Sequence, residues 1–314
     1  MTGFAFVFPG QGSQSVGMLD AWGDNVVVRQ TLQEASDALG EDLAALVRDG
    51  PADALALTTN TQPVMLAADV ACWRAWRAAG GALPLAVAGH SLGEYAALVA
   101  AGALTLADAV PLVRLRAAAM QDAVPVGQGA MAAIMGLDAD VIQGVCAQVT
   151  AALGAGEVVE AVNFNTPVQT VIAGSSQAVE QACAELKAAG AKRAVTLPVS
   201  APFHSRLMKP AAERLRQALA EVPVALPQVP VVNNVDVAVE QDADRIRDAL
   251  YRQAFGPVRW VETVQQFKAM GATAVIECGP GKVLAGMTRR IDRGLASAEL
   301  CDPQTLAQVQ DLLG

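Results

Sequence analysis

The stretch AVAGHSLGEYAAL, from Ala86 to Leu98, places one serine between two glycines, each two residues away. A short apolar run from Leu85 to Ala88 leads into Gly89, and an alanine-rich helical pattern follows Gly93. Ser91 therefore stands at the corner of a strand-to-helix turn. A G-x-S-x-G in that setting is a nucleophile elbow, a turn tight enough to strain the serine backbone and push its Oγ out of the sheet. A Cβ at Gly89 or Gly93 is expected to collide with the neighbouring strand or helix. The helix starting near Leu92 adds a dipole that favours negative charge beside the serine. The five-residue pattern is weak alone, and the plainer reading is a serine in a tight βα turn. The strand before it and the helix after it give it weight.

The rest of the chain fits an α/β fold. It has 314 residues, 53% hydrophobic and 17% charged, enough to bury a sizeable core. The net charge of -9 argues against a nucleic-acid binder, which needs a basic face. No apolar run reaches the roughly 20 residues of a membrane span, and the start, MTGFAFVFPGQGSQ, lacks the basic and long apolar regions of a signal peptide. It reads as a strand, Phe4 to Phe8, followed by a loop. The five cysteines are odd in number, widely spaced and without a C-x-x-C, which points to free thiols in a reducing cytoplasm.

Helical periodicity runs through VVVRQTLQEASDAL, QPVMLAADVACWRAWRAAG and LADAVPLVRLRAAAMQ, separated by short apolar runs. This predicts a parallel sheet covered on both faces. From Gly129 to Pro198 the order changes to βαββαβ: strand AMAAIMGL, helix, strands VVEAVNFN and VQTVIAG about a turn at Thr166-Pro167, a serine-capped helix SQAVEQACAELKAAG, and strand KRAVTLPV. That is the order of a ferredoxin-like unit. The expected division is residues 1–127 and 200–314 as the main α/β subdomain, with 128–199 inserted. Beyond Ser200 the pattern predicts a helix from about Ser205 to Glu221, a strand VPVVNN, two helices between Asp242 and Met270, a strand TAVIEC, a GPG turn and a helix from Lys282.

A serine hydroxyl needs a base to act as a nucleophile at neutral pH. The chain has two histidines. His90 adjoins Ser91, so its side chain should diverge from it. Elimination leaves His204, in VSAPFHSRLMKPAAERL, between a strand end and a helix start. No acidic third member stands out between Ser91 and His204, so a neutral group is expected to orient the imidazole. The glycine-rich loop FPGQGSQSVGM is not a dinucleotide fingerprint, because Ser15 stands where the third glycine belongs. GPGKV lacks the upstream glycine and final Ser or Thr of a phosphate-binding Walker loop. The first loop can instead offer a backbone N–H to an oxyanion, beside the N–H of Leu92.

Six segments, FVFPGQGSQSVGM, GHSLGEYAALVAAG, LRAAAMQ, NFNTPVQTVIAG, SAPFHSRLMKPA and ECGPGKVLAGMTRRI, occur in order along nearly the whole chain. Together they resemble the malonyl-CoA:acyl carrier protein transacylases of bacterial fatty-acid synthesis. The resemblance implies an α/β-hydrolase-like large subdomain with a ferredoxin-like insert. It implies Ser91 as the acylated nucleophile and His204 as the base. Gln11 matches the loop donor of the oxyanion hole, acting with Leu92, and Gln253, in YRQAFGPVRW, the residue whose backbone carbonyl orients the histidine. Arg116 matches the arginine that holds the substrate carboxylate. Helical periodicity alone does not choose between Arg116 and Arg114. Phe203 resembles a bulky residue of malonyl-selective relatives that limits α-branched substrates.

The implied reaction transfers malonyl from malonyl-CoA to acyl carrier protein, by a monomer, with no metal or redox cofactor and no membrane or nucleic-acid partner. Docking of an acidic carrier on an acidic enzyme requires a local basic patch, with Lys187, Lys192, Arg193, Lys282, Arg289 and Arg290 as candidates. Three other readings compete. A serine thioesterase or esterase would need an acidic triad member and make no use of Arg116. A patatin-like lipase needs a D-G motif after the serine, whereas Asp49-Gly50 precedes it. A non-catalytic carrier-binding module would not need Ser91, His204 and Arg116 together.

Overall fold

A computed structural model describes residues 3–154, 156–199 and 201–314. Its strands are β1 (Phe4–Phe8), β2 (Ala86–Gly89), β3 (Gly129–Met135), β4 (Val159–Thr166), β5 (Gln169–Ser175), β6 (Arg193–Thr196), β7 (Ala274–Cys278) and β8 (Ala296–Leu300). The helices are α1 (Val26–Leu39), α2 (Leu43–Asp49), α3 (Ala52–Ala56), α4 (Thr58–Ala78), α5 (Gly93–Ala100), α6 (Leu106–Asp122), α7 (Ala139–Leu153), α8 (Ser176–Ala188), α9 (Lys209–Glu221), α10 (Ala243–Gln253), α11 (Trp260–Ala269), α12 (Val283–Ile291) and α13 (Pro303–Leu313).

Two sheets form. One is parallel, in the order β2-β1-β7-β8. All five residues of β1 are buried, and their alternation explains why the run is continuously apolar. Phe4, Phe6 and Phe8 enter the core under α1, α4 and α6, while Ala5 and Val7 enter a second core with Trp260, Val264 and Phe267 of α11. The parallel sheet is thus covered on both faces, as the sequence pattern predicts. The other sheet is antiparallel, in the order β4-β5-β3-β6, with α7 and α8 packed against it. β4 is tied to the segment entering α11, which packs on the parallel sheet, where Phe164 N–H donates to Val258 O at 2.9 Å and Val258 N–H to Val162 O at 2.8 Å.

Three expectations need correction. VPVVNN forms no strand of its own. It touches β2 through one isolated bridge, with Val87 N–H donating to Pro230 O and Val232 N–H to Val87 O. Pro227 and Pro230 bring no N–H to a ladder, and beyond Val232 the chain turns so that Asn233 and Asn234 bond elsewhere. The serine cap of α8 is not made. Ser175 stands at the cap position, but its hydroxyl bonds Glu157 and accepts from Val158 N–H, closing the β4–β5 end instead. The run KRAVTLPV pairs only over Arg193–Thr196. Two late elements, β8 and α13, were not anticipated; the parallel sheet gains its outer strand from the first. The proposed boundary at Ser200 lies outside the described residues.

Candidate active site

β2 ends at Gly89 and α5 begins at Gly93, with Ser91 at φ 54° between them. That backbone region is costly for a residue with a Cβ. The flanking glycines make the turn possible. A Cβ on Gly89 would lie 1.8 Å from the Gly93 carbonyl carbon, and one on Gly93 would lie 2.1 Å from Phe8 O of β1. The strained turn is held by Asn234, whose Oδ1 accepts from Ser91 N–H at 2.7 Å and whose Nδ2 donates to Gly89 O at 2.7 Å.

Ser91 Oγ lies 2.7 Å from His204 Nε2. His204 Nδ1 lies 2.9 Å from the main-chain oxygen of Gln253. A carbonyl only accepts, so Nδ1 carries the proton and Nε2 is left to accept the serine proton. Burial pushes the His204 pKa down to about 3, helped by the nearby Arg116 charge. The imidazole is therefore neutral at pH 7, the form a base requires. His90 turns away, as its position next to Ser91 predicts, with Nε2 at 2.8 Å from Asn165 Oδ1.

Arg116 reaches the same point from α6. Its guanidinium donates to Gln62 Oε1 at 2.7 Å, Gln253 Oε1 at 3.0 Å and Ser91 Oγ at 3.2 Å. It is 2% exposed, and all three acceptors are uncharged. Arg114 points outward and forks onto Glu41. The fold thus makes the choice that periodicity left open.

Gln11 follows β1, and its side chain donates to Thr58 Oγ1 at 3.1 Å. Its loop packs on the elbow: a Cβ on the preceding Gly10 would lie 2.6 Å from His90 O and 3.8 Å from Leu92 N. Among the described residues the main-chain N–H groups of Gln11 and Leu92 have no acceptor. Gln11, Ser91, Leu92, Arg116 and His204 line one cleft of about 120 Å³, together with Gln62, His90 and Phe203. Met131, Asn163, Leu197 and Val199 close it from the antiparallel sheet side. Gln253 lies behind this wall, fully buried. Five of the six expected site residues meet in one cleft, and the sixth, Gln253, hydrogen-bonds three of them, Ser91, Arg116 and His204, from behind it.

A nucleophile elbow, a neutral histidine, two open amides and a buried arginine in one cleft suit acyl transfer from a carboxylated thioester or ester. The acyl transferase domain profile matches residues 5–309. The chain belongs to the acyl transferase family. The acyltransferase is 54% identical to the malonyl CoA-acyl carrier protein transacylase of Salmonella typhimurium, over 98% of both chains. Among solved structures it matches an acyl-carrier-protein S-malonyltransferase from Burkholderia pseudomallei, with 63% identity, TM-score 0.96 and coverage of 98% and 99% of the two chains. It also matches a malonyl-transacylase solved in complex with its type II PKS acyl-carrier protein, with 51% identity, TM-score 0.96 and coverage of 99% and 100%.

Three residues of the acyltransferase site escaped the sequence reading. Gln62 holds Arg116, Asn234 grips both sides of the elbow, and Glu94 lies beneath them, 2% exposed. Burial raises the Glu94 carboxyl to about 7, against bonds from Gln253 and Asn234 that favour the ionised form. A polar residue inside an otherwise apolar helical stretch was the available signal for Glu94 and Gln62. Asn234 gave none beyond its place in a turn. All five cysteines are free thiols. Among the described residues no helix is long and apolar enough to cross a membrane, and no cluster of three or more His, Cys, Asp or Glu side chains is placed to hold a metal ion.

Proposed function

We propose that this acyltransferase moves the malonyl group from malonyl-CoA to the phosphopantetheine thiol of acyl carrier protein through a malonyl ester on Ser91, supplying extender units for fatty-acid synthesis. The observation that carries this reading is Arg116: a buried guanidinium 3.2 Å from the nucleophile, held only by uncharged acceptors. A carboxylate on the acyl group completes its charge pairing with two parallel hydrogen bonds, which an ammonium cannot make. The transacylase names of full-length relatives support the same substrates, and the carrier-bound relative supports the partner.

His204 takes the Ser91 proton as Oγ attacks the thioester carbonyl. The oxyanion rests on the N–H groups of Gln11 and Leu92. The tetrahedral intermediate collapses, the C–S bond breaks, and His204 returns the proton to the coenzyme A sulfur. The carrier thiol then gives its proton to His204 and attacks the ester, and Ser91 leaves with that proton. Every step is proton or acyl transfer, so no redox partner is consumed. The Gln253 carbonyl stabilises imidazolium less than a carboxylate would, which suffices for a thiol leaving group. Phe203 in the cleft wall restricts branching next to the carbonyl.

The same reading takes 1–127 and 200–314 as an α/β-hydrolase-like catalytic subdomain and 128–199 as a ferredoxin-like insert. The strand order β4-β5-β3-β6 with two helices packed on that sheet supports the insert. A reducing cytoplasm accords with five free thiols, and the reading takes the enzyme as a monomer. The deciding experiment is intact mass after incubation with malonyl-CoA. The expected result is one added malonyl group, mapped to Ser91 and discharged by holo-carrier protein. Rapid release of free malonate with no gain from a thiol acceptor would establish a thioesterase instead.

A further inference from the structure

Gln253 works with two sets of atoms. Its main-chain oxygen orients His204, at 2.9 Å from Nδ1. Its side chain accepts from Arg116 at Oε1, 3.0 Å, and donates from Nε2 to Ser91 O and Glu94 Oε2, both at 2.9 Å. The amide has one consistent orientation. A carboxylate and a carbonyl only accept, so the NH2 must face them, and the amide oxygen is left for Arg116. Glu94 is itself fixed by a second bond, from Asn234 N–H at 2.9 Å. Asn234 is also the residue that bonds both sides of the elbow. Glu94 touches neither the cleft nor the Ser91 hydroxyl, and the route above leaves it unused.

We infer that Glu94 is a positioning residue for acyl selectivity: its carboxylate locks the Gln253 amide, and the locked amide aims Arg116 at the substrate carboxylate. The inference rests on the malonyl-transfer reading. Without the Glu94 carboxylate the Gln253 NH2 keeps only Ser91 O as an acceptor, so the amide is held at one point and swings about it. Its Oε1 then no longer stays on Arg116, and the guanidinium loses its aim. The Ser91–His204 pair is spared, because the group behind His204 is a main-chain oxygen that the freed amide does not move.

The test is Glu94→Ala, assayed at pH 8 by loading of Ser91 from malonyl-CoA and from acetyl-CoA, alone and in an Arg116→Ala background. The expected result is about a tenfold or greater loss of kcat/KM for malonyl, the scale of one hydrogen bond to a charged group, carried mainly by KM. Acetyl loading should change by less than about threefold, and with Arg116 already removed the Glu94 change should leave the malonyl-to-acetyl ratio where it was. Equal losses for both thioesters, or an undiminished effect in the Arg116→Ala background, would overturn the inference. If Glu94→Ala does not fold, Glu94→Asp decides. It keeps the charge but draws the carboxylate away from the Gln253 amide by one methylene, so it must show the same malonyl-selective loss or the inference is wrong. A wild-type protein that does not load malonyl at all would refute the functional reading instead, which separates the two failures.

Discussion

Replacing Arg116 by alanine removes a charge, not the acyl-transfer machinery. The guanidinium makes three hydrogen bonds, none to a charged group, and the proposed function gives its charge to the substrate carboxylate. Losing a buried, hydrogen-bonded charge pair costs about 2–5 kcal/mol. At about 1.4 kcal/mol per tenfold, malonyl kcat/KM should fall by about 30-fold to about 5,000-fold. Acetyl-CoA brings no carboxylate and loses none of this. Two effects favour it in the variant: the Ser91 hydroxyl is released from the Arg116 donor, and the His204 base recovers strength that the Arg116 charge takes away. Acetyl loading should therefore hold or rise. The Gln62 and Gln253 side-chain oxygens lose their donor, a stability cost of about 1–3 kcal/mol for each that stays dry, so melting temperature is measured in parallel. The assay is stopped-flow or quenched loading of Ser91 from both thioesters, compared as kcat/KM. Equal losses for malonyl and acetyl would show that Arg116 supports the fold and does not bind the carboxylate. Arg116→Lys should not restore malonyl selectivity, because one ammonium cannot span the same acceptors and pair a carboxylate side-on.

Ser91→Ala should abolish the mass shift and transfer while leaving the fold intact; malonyl transfer that survives would place the nucleophile elsewhere. His204→Ala should slow loading by about 10²–10⁴-fold, the usual worth of a general base, and a near-normal rate would mean another group activates the serine. With the His204 pKa near 3 in the folded enzyme, the base stays unprotonated as pH falls from 8 to 5, so acetyl loading should show no step near pH 6.5. The unfolded chain takes up a proton near 6.5 that the folded histidine refuses, so His204 costs stability progressively as pH drops from about 6.5 towards 3; both signs are checked by rate and thermal melts across that range. Among the described residues none of Lys187, Lys192, Arg193, Lys282, Arg289 and Arg290 enters an ion pair, while most other arginines do. Reversing Lys282 and Arg290, at the start and near the end of α12, to Glu should raise KM for carrier protein and flatten its salt dependence, with little change in loading from malonyl-CoA. An unchanged carrier KM for such reversals at all six positions would put the docking surface elsewhere.

The sequence by itself determined whatever depends on neighbours along the chain. Gly89 and Gly93 are legible because a turn this tight excludes a Cβ at both places, and that is a local steric fact. β1 and the long helices α1 and α6 are legible because burial imposes its period on consecutive residues. His204 followed by elimination, because the chain offers only two histidines and one adjoins the serine. The choice of Arg116 over Arg114 was different. Both flank the same apolar stripe, and only tertiary packing on α6 brings Gln62 of α4 to one and Glu41, between α1 and α2, to the other. Gln253 orients the histidine through a main-chain oxygen, an atom every residue has, so no side-chain pattern could announce it apart from a family resemblance. Asn234 and Gln253 meet Ser91 across 143 and 162 residues. VPVVNN carries the β-branched signature of a strand, yet it runs beside β2 for a single bridge and then gives Asn234 to the elbow. Periodicity reports which face of an element is buried; which buried polar atoms find one another is settled only when the two sheets and their helices close around the cleft.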